Sequence, residues 1–210
     1  MSYAELCAEV VNGDVDKVKE LTKKLIDDGK DPLDVMNQGL IAGMEVVGPR
    51  FKNGEMFVPE VLMCAKAMGT GIDIVKETLV DTEIPTIGTI IIGTVKGDLH
   101  DIGKNLVAMM MESAGFKVVN MGVDISEEKF VEAVKEHAPD ILALSALLTT
   151  TMANMQSVIE ALKEEGLRDN VKIIIGGAPI SQAFADDIEA DGFAPDAASA
   201  TDLCKKLLAV

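Results

Sequence analysis

The sequence predicts an α/β protein in which an N-terminal four-helix bundle, the cap, is followed by a doubly wound parallel sheet. Two observations predict this fold class. Up to about Leu79 the apolar residues recur at helical spacing, whereas from Thr86 onward short β-rich runs alternate with helical ones. The stretch between the two patterns, "VDTEIPT", is typical of a short linker in which Pro85 ends the preceding helix. We therefore expect two domains, residues 1–84 and residues 85–210.

The first domain is expected to contain about four helices. Its second helix shows the pattern most clearly, because Val15, Val18, Leu21 and Leu25 return on one face. Helix-breaking residues divide this half of the chain at "NGD", "DDGKDP", "VGPRFKNGEMFVP" and the end of "MGTGIDIVKETL". Helices joined by such short breaks favour a small bundle.

Four apolar runs of the second domain are predicted to be strands, namely "TIGTIIIGT", "FKVVNMG", "DILALSA" and "VKIIIGG". Helices are predicted at 103–114, 126–137, 151–165, 181–188 and 199–208. Ser126 is placed as an N-cap, and Glu127 and Glu128 complement the positive end of the helix dipole. The alternation indicates a flavodoxin- or Rossmann-like parallel sheet with helices on both faces.

Composition excludes several classes of protein. The 210 residues carry a formal net charge of −16, which opposes binding to nucleic acid or to an anionic membrane surface. No apolar run approaches the roughly 20 residues that span a bilayer, and the N-terminus lacks the pattern of a signal peptide. The three cysteines are far apart and form no C-x-x-C pair, which indicates neither disulfides nor a thiolate zinc site. We expect a cytoplasmic protein.

The stretch "GTVKGDLHDIGKN" follows the first predicted strand, where open α/β sheets bind ligands. It is not a Walker loop, since Asp98 stands where the first Gly is required and Asn105 where Ser or Thr must follow the lysine. Its glycines are also spaced too widely for a dinucleotide fingerprint. Nucleotide hydrolysis and hydride transfer both lose support.

His100 of this stretch lies between Asp98 and Asp101. A metal-binding histidine usually donates its second ring N–H to a carboxylate, and Asp98 is placed to accept it. No second side chain at metal-ligand spacing completes a zinc or iron site, since His137 falls in a predicted helix. A bound metal ion must therefore bring most of its own ligands; a purely structural histidine is the alternative.

Three short motifs at successive strand ends carry a family resemblance. Asp98, His100 and Gly103 form D-x-H-x-x-G, "SAL" begins at Ser145 on the third strand, and "GG" stands at the end of the fourth. This pattern resembles the cobalamin-binding domains that take the cofactor in its base-off, histidine-on form. The stretch "GMEVVGPRFKNGEMFVPEVLMCAKAM" resembles their helical cap domain. Together the chain resembles the corrinoid methyl-carrier proteins of anaerobic methyltransferase systems and is similar to the cobalamin-binding module of methionine synthase.

The resemblance implies roles for individual residues. His100 would be the lower axial ligand of cobalt, with Asp98 and then Ser145 forming a proton relay behind it. In the cap, Phe51 and Val58 would shield the methyl group, although Val58 stands where the family usually has Leu. The residues implied to bind cobalamin or a related corrinoid are Thr94, Gly97, Asp98, Leu99, Asp101, Ile102, Gly103, Ser145, Leu147, Thr149, Gly176 and Gly177.

The resemblance also implies a function in one-carbon metabolism. The protein would accept a methyl group as cob(I)alamin from a substrate-specific corrinoid methyltransferase. It would deliver that group as methylcob(III)alamin to a second methyltransferase, which methylates tetrahydrofolate or coenzyme M. A reductive activase would restore oxidised cofactor, and residues 80–85 would form a hinge for the cap. Such a carrier has no catalytic residue of its own. The sequence does not distinguish between four candidate methyl donors, which are methylamine, quaternary amine, methanol and methoxylated aromatics.

Three alternatives share parts of the pattern. A cobalamin-dependent sensor or regulator would have the same two domains and a DNA-binding segment, which the acidic charge opposes. The small subunit of an adenosylcobalamin mutase would share D-x-H-x-x-G without needing a four-helix cap. A cofactor-free domain like that of response regulators would leave the coincidence of the three motifs unexplained.

Overall fold

The computed structural model describes residues 2–79 and 86–210, which belong to two compact units. The predicted boundary between residues 84 and 85 and the predicted hinge at 80–85 fall at or within the stretch outside the described residues, so both stay predictions. None of the helices in the described part of the chain combines the length and the apolar character needed to span a membrane.

The N-terminal unit is helical, as predicted. Its helices are α1 (Tyr3–Asn12), α2 (Val15–Asp27), a run made of α3 (Pro32–Asp34), a π-helical segment (Val35–Ile41) and α4 (Ala42–Lys52), and α5 (Val58–Thr78). The predicted break at "VGPRFKNGEMFVP" begins later than expected, because α4 continues through Pro49 to Lys52. The chain then turns at Gly54, whose φ is +74°.

Two glycines let the helical run from Pro32 to Lys52 approach α1 closely. A Cβ built on Gly39 would lie 2.5 Å from Cδ2 of Leu6, and one built on Gly43 would lie 2.6 Å from Cβ of Val10. Both distances are far shorter than van der Waals contact, so these positions require the absence of a side chain. The four-residue spacing of Gly39 and Gly43 places both on the face that meets α1.

The C-terminal unit is built on a five-stranded parallel sheet with strand order β2-β1-β3-β4-β5. Its elements are β1 (Thr89–Thr94), α6 (Ile102–Ser113), β2 (Lys117–Asn120), α7 (Glu127–His137), β3 (Ile141–Ser145), α8 (Ala153–Glu164), β4 (Lys172–Gly176), α9 (Gln182–Asp187), β5 (Gly192–Phe193) and α10 (Ala197–Leu208). The predicted doubly wound fold is confirmed, and the order is the flavodoxin-like one. Strand β5 was not predicted, since two residues leave no recognisable apolar run.

The three central strands, β1, β3 and β4, determine where the candidate site lies in the sheet. Ile91, Leu142 and Ile173 lie fully buried in one core cluster, which explains why these strands are apolar at consecutive positions. Their register sets Thr94 beside Ser145 and Ser145 beside Gly176 at the carboxyl edge. The strand order reverses at β1, so the loops after β1 and β3 diverge there and form a crevice.

Candidate functional site

The loop after β1, residues 95–101, contains the predicted metal ligand and is called the histidine loop. Its Asp98 has a side chain with no exposed surface, and one carboxylate oxygen, Oδ1, lies 2.7 Å from Nδ1 of His100. The same oxygen accepts the His100 backbone N–H at 3.1 Å. Asp98 is thus fixed to the histidine through both the ring and the main chain.

The second carboxylate oxygen of Asp98 is bound by the loop after β3. Its Oδ2 accepts the backbone N–H of Leu147 at 2.8 Å, that of Leu148 at 3.2 Å and the hydroxyl of Thr151 at 2.7 Å. The two loops at the switch point are therefore joined through a single buried carboxylate. This explains how an anion can be buried without an ion-pair partner of fixed charge.

The environment of Asp98 determines its charge. Burial by itself would raise the pKa of this carboxyl group, but hydrogen bonds from Leu147, His100 and Thr151 more than offset it and hold the pKa well below its usual range. Because the carboxylate is an acceptor only, Nδ1 of His100 carries a proton, so in the neutral ring Nε2 is the nitrogen with the free lone pair. The His100 side chain is 51% exposed, so Nε2 is the nitrogen that could bind a metal ion.

Large apolar side chains stand close to His100 in the chain and on the neighbouring loop, and they are exposed to solvent. Leu99 and Ile102 flank it in the chain and are 71% and 80% exposed, while Leu147 and Leu148 on the neighbouring loop are about 40% exposed. Four such exposed residues on neighbouring segments are unusual for a free surface. Together they are called the apolar platform, and they could contact a broad apolar ligand bound at His100.

The three predicted glycines, Gly103, Gly176 and Gly177, differ in how much space their surroundings leave for a side chain. A Cβ on Gly177, whose φ is +133°, would lie 1.8 Å from the Ala146 carbonyl oxygen, so the chain itself requires glycine there. A Cβ on Gly176 would lie 3.3 Å from the carbonyl oxygen of Ala194. Beside Gly103, by contrast, a built Cβ would have no heavy atom within 4 Å among the described residues outside its chain neighbours and its own helix backbone. Open space therefore exists where the sequence predicted clearance for a ligand.

Three predicted binding residues instead hold the histidine loop or the following helix. Thr94 is buried, and its hydroxyl donates to the His100 carbonyl oxygen at 2.9 Å. The Gly97 N–H donates to the carboxylate of Asp124 at 2.7 Å. Asp101 accepts a hydrogen bond from the Asn105 amide at 3.0 Å. Each of the three predicted residues thus has a hydrogen-bond partner within the protein itself.

The predicted relay through Ser145 stays a prediction, and the structure adds a second hydroxyl to it. Ser145 lies half-buried at the end of β3, but within the described residues the hydroxyl that donates to Asp98 is that of Thr151. Sequence reasoning missed Thr151 because it stands in a run of three threonines that only the loop's conformation distinguishes. The other predicted residue of this loop, Thr149, is exposed.

A second polar network was also missed. Lys104 is buried in the first turn of α6, and its ammonium donates to the amide oxygens of Asn105 and Asn120, each at 2.6 Å. Burial lowers the pKa of this lysine, while the nearby Asp101 carboxylate opposes that shift. The network ties the start of α6, directly after the histidine loop, to the end of β2.

The predicted shielding residues lie in the N-terminal unit. Phe51 and Val58 are both partly buried near the turn between α4 and α5. Phe57, which immediately precedes α5, is 69% exposed and was not singled out from the sequence. Its backbone N–H donates to the Glu60 carboxylate at 2.8 Å, which fixes the start of the helix.

These features define a protein that exposes one oriented histidine beside an apolar platform. Across the described residues, no group of three or more His, Cys, Asp and Glu side chains could hold a metal ion alone. A metal ion already enclosed in a macrocycle fits the single imidazole, the platform and the open space at Gly103.

Comparison with known proteins agrees with this chemistry. Residues 88–202 match a family model described as a B12 binding domain, and residues 3–76 match a second model with the same description. A corrinoid protein of Desulfitobacterium hafniense is 45% identical over 97% of this chain and 96% of its own. Dimethylamine corrinoid protein 1 of Methanosarcina acetivorans is 44% identical over the whole of both chains.

A solved structure supports the same assignment. The methanol:cobalamin methyltransferase complex of Methanosarcina barkeri contains a chain that is 34% identical, with a TM-score of 0.89 over 97% of this chain and 78% of that one. The chain therefore belongs to the B12-binding corrinoid protein family, with both of its domains present.

Proposed function

We propose that this chain carries a methyl group on the cobalt of a corrinoid held in the base-off, histidine-on form. The observation that carries the proposal is the buried Asp98 carboxylate, which fixes the His100 ring so that the lone pair of Nε2 points away from its hydrogen-bond partner. Similarity over the whole chain to a dimethylamine corrinoid protein supports the same function. When bound, the corrinoid supplies a cobalt centre that takes up and releases the methyl group.

The residues of the chain have separate tasks in this function. His100 would hold the metal through Nε2, and Asp98 would retain the ring in the tautomer that leaves this nitrogen free. The Asp98 carboxylate, 2.7 Å from Nδ1, would keep the ring oriented whether or not the metal is bound. Thr151 is the hydroxyl donor to that carboxylate.

The apolar platform and the glycines would accommodate the rest of the cofactor. Leu99, Ile102, Leu147 and Leu148 would lie against the macrocycle and exclude water from the axial bond. The space beside Gly103 at the start of α6 would admit the displaced nucleotide tail, whose phosphate the helix N-terminus favours. Ser145, Thr149 and Gly176 lie near the same edge of the sheet and would line that tail.

Partners and substrates are proposed by analogy with the relatives. A methyltransferase would load the chain from a methylated amine or methanol, since those donors occur in the names of the similar proteins. A second methyltransferase would transfer the group to coenzyme M or tetrahydrofolate, and a reductive activase would rescue oxidised cofactor. Phe51, Val58 and the exposed Phe57 would shield the methyl group in between.

Loading and transfer can be tested with purified components. The chain, reconstituted with hydroxocobalamin, should retain about one cofactor per chain through gel filtration. After reduction and methylation with methyl iodide, it should donate its methyl group to coenzyme M in the presence of a thiol methyltransferase faster than free methylcobalamin does. A reconstituted His137→Gln variant serves as the control, because His137 ends α7 and contacts neither loop of the site. Failure to retain any corrinoid would reject the function.

A further inference from the structure

The histidine loop is held by side chains that come from several elements. Three of its backbone groups bind such side chains: Lys96 O accepts from Asn154 Nδ2 at 2.7 Å, Gly97 N donates to Asp124 Oδ1 at 2.7 Å, and His100 O accepts from Thr94 Oγ1 at 2.9 Å. A fourth group, Asp98 O, accepts from the backbone N–H of Asp124 at 3.0 Å. Asp124 makes two of the four. Of the three residues that supply these contacts, it is the one that carries a charge.

The loop after β2 projects Asp124 toward the histidine loop. Thr94 N donates to the Gly122 carbonyl and Ile125 N donates to the Thr94 carbonyl, so Val123 and Asp124 stand out from the strand ladder between these two bonds. The projecting Asp124 accepts from Gly97 through its carboxylate and donates to the Asp98 carbonyl through its own N–H. This reciprocal pair joins the two loops at the residue directly before Asp98 and at Asp98 itself.

The backbone of Asp124 is in a conformation that glycine adopts more easily. Its φ is +56°, in the left-handed region, where a side chain costs free energy. Gly122, two residues earlier, also has a positive φ, of +88°, and is a glycine. An aspartate tolerates this conformation better than most residues, and its carboxylate accepts the Gly97 amide, which glycine at this position could not do.

We propose that Asp124 is a positioning residue for the axial histidine. By fixing Gly97 and the backbone of Asp98, it holds the Asp98 carboxylate where one oxygen meets the His100 ring and the other meets Leu147 and Thr151. A displacement of about 1 Å would break several of these bonds at once. The role as an aid to metal ligation rests on the proposed function, whereas the effect on the His100 ring does not.

Two substitutions at Asp124 distinguish the effect of its carboxylate from the effect of its backbone conformation. Asp124→Gly removes the acceptor but relieves the left-handed conformation and keeps the N–H that binds Asp98. Asp124→Asn keeps an acceptor oxygen and tolerates the same conformation. Ala138→Gly is the matched control, because Ala138 also has a positive φ, of +42°, but ends α7 away from the histidine loop.

The first measurements use the cofactor-free protein and nuclear magnetic resonance. In Asp124→Gly the Gly97 amide should exchange with solvent about tenfold faster, as expected for loss of a charge-assisted hydrogen bond. The ring ¹⁵N shifts of His100 should move away from the pure Nδ1–H tautomer. Asp124→Asn should restore most of both signals, and Ala138→Gly should leave both unchanged. An unchanged Gly97 amide and His100 ring in Asp124→Gly would overturn the proposal, whether or not a corrinoid binds.

The last measurement is the affinity for hydroxocobalamin. We expect Asp124→Gly to bind about tenfold more weakly than the parent chain and Asp124→Asn to bind within about threefold of it. If the Gly97 amide is released but the affinity is unchanged, the role in positioning the metal ligand is rejected. If the parent chain binds no corrinoid, the proposed function fails, and the resonance measurements alone decide whether Asp124 positions the ring.

Discussion

Replacing Gly177 with alanine is expected to destabilise the C-terminal unit by about 4 kcal/mol. The new Cβ would lie 1.8 Å from the Ala146 carbonyl oxygen, and that oxygen belongs to the backbone after β3, which cannot rotate away as a flexible side chain could. The φ of +133° adds backbone strain, because it lies in a region that residues with a side chain rarely adopt. Relief therefore requires the loops after β3 and β4 to separate.

Urea unfolding provides the measurement for Gly177→Ala. Far-UV circular dichroism follows both units, and the fluorescence of the single tyrosine, Tyr3, follows only the N-terminal one. With a urea slope of about 2 kcal/mol per molar, the transition of the C-terminal unit should shift down by about 2 M, while the tyrosine transition stays in place. Gly103→Ala is the matched control and should cost nothing, since its Cβ meets no atom of the described residues within 4 Å outside its chain neighbours and its own helix backbone. A Gly177→Ala midpoint within about 0.5 M of the parent would contradict the close approach.

Asp98→Asn is expected to cost about 2 kcal/mol of folding free energy at neutral pH and to weaken the metal ligation that is proposed for His100. An asparagine has one acceptor oxygen in place of two. If that oxygen faces Leu147 and Thr151, its NH₂ group faces Nδ1 of His100, which must then lose its proton and become the acceptor. The ring proton moves to Nε2, so the nitrogen that should bind the metal no longer has a lone pair.

The pH dependence of this loss follows from the depressed pKa of Asp98. The unfolded carboxyl group titrates at about 3.9, and in the folded chain its pKa is lower because Leu147, His100 and Thr151 stabilise the anion despite burial. The stabilisation is therefore complete above about pH 5 and is lost as the pH falls below about 4 toward the folded-state value. The difference in unfolding free energy between Asp98→Asn and the parent should shrink over that range. Asp187→Asn, at an exposed position, should show no such difference; a gap that is independent of pH would refute the assignment.

Much of the fold follows from local patterns. The apolar runs of β1, β3 and β4 and the helices between them are readable because each buried strand must be apolar on both faces. Long-range features are not readable in this way. The close approach at Gly39 and Gly43 and the two-residue strand β5 depend on neighbours that are distant in sequence.

The same distinction between local and long-range contacts applies to the candidate site. His100 and Asp98 are two residues apart, so their interaction is local and could be predicted from the sequence. Thr151 and Asp124 reach Asp98 and Gly97 from 53 and 27 residues away, through loops whose conformation no spacing rule fixes. The sequence therefore predicted the contact between His100 and Asp98, and it missed the side chains that hold these two residues in place.

The most direct test of the account asks which nitrogen binds cobalt. The chain is labelled with ¹⁵N only in its histidines, His100 and His137, reconstituted with unlabelled cobalamin and reduced to the cob(II) state. If His100 has replaced the cofactor's own base, the electron paramagnetic resonance lines split into doublets, because ¹⁵N has a nuclear spin of one half; they should remain doublets in His137→Gln and lose this splitting in His100→Ala. Triplets in the labelled parent chain would show that the unlabelled base still binds the metal and would contradict the axial assignment.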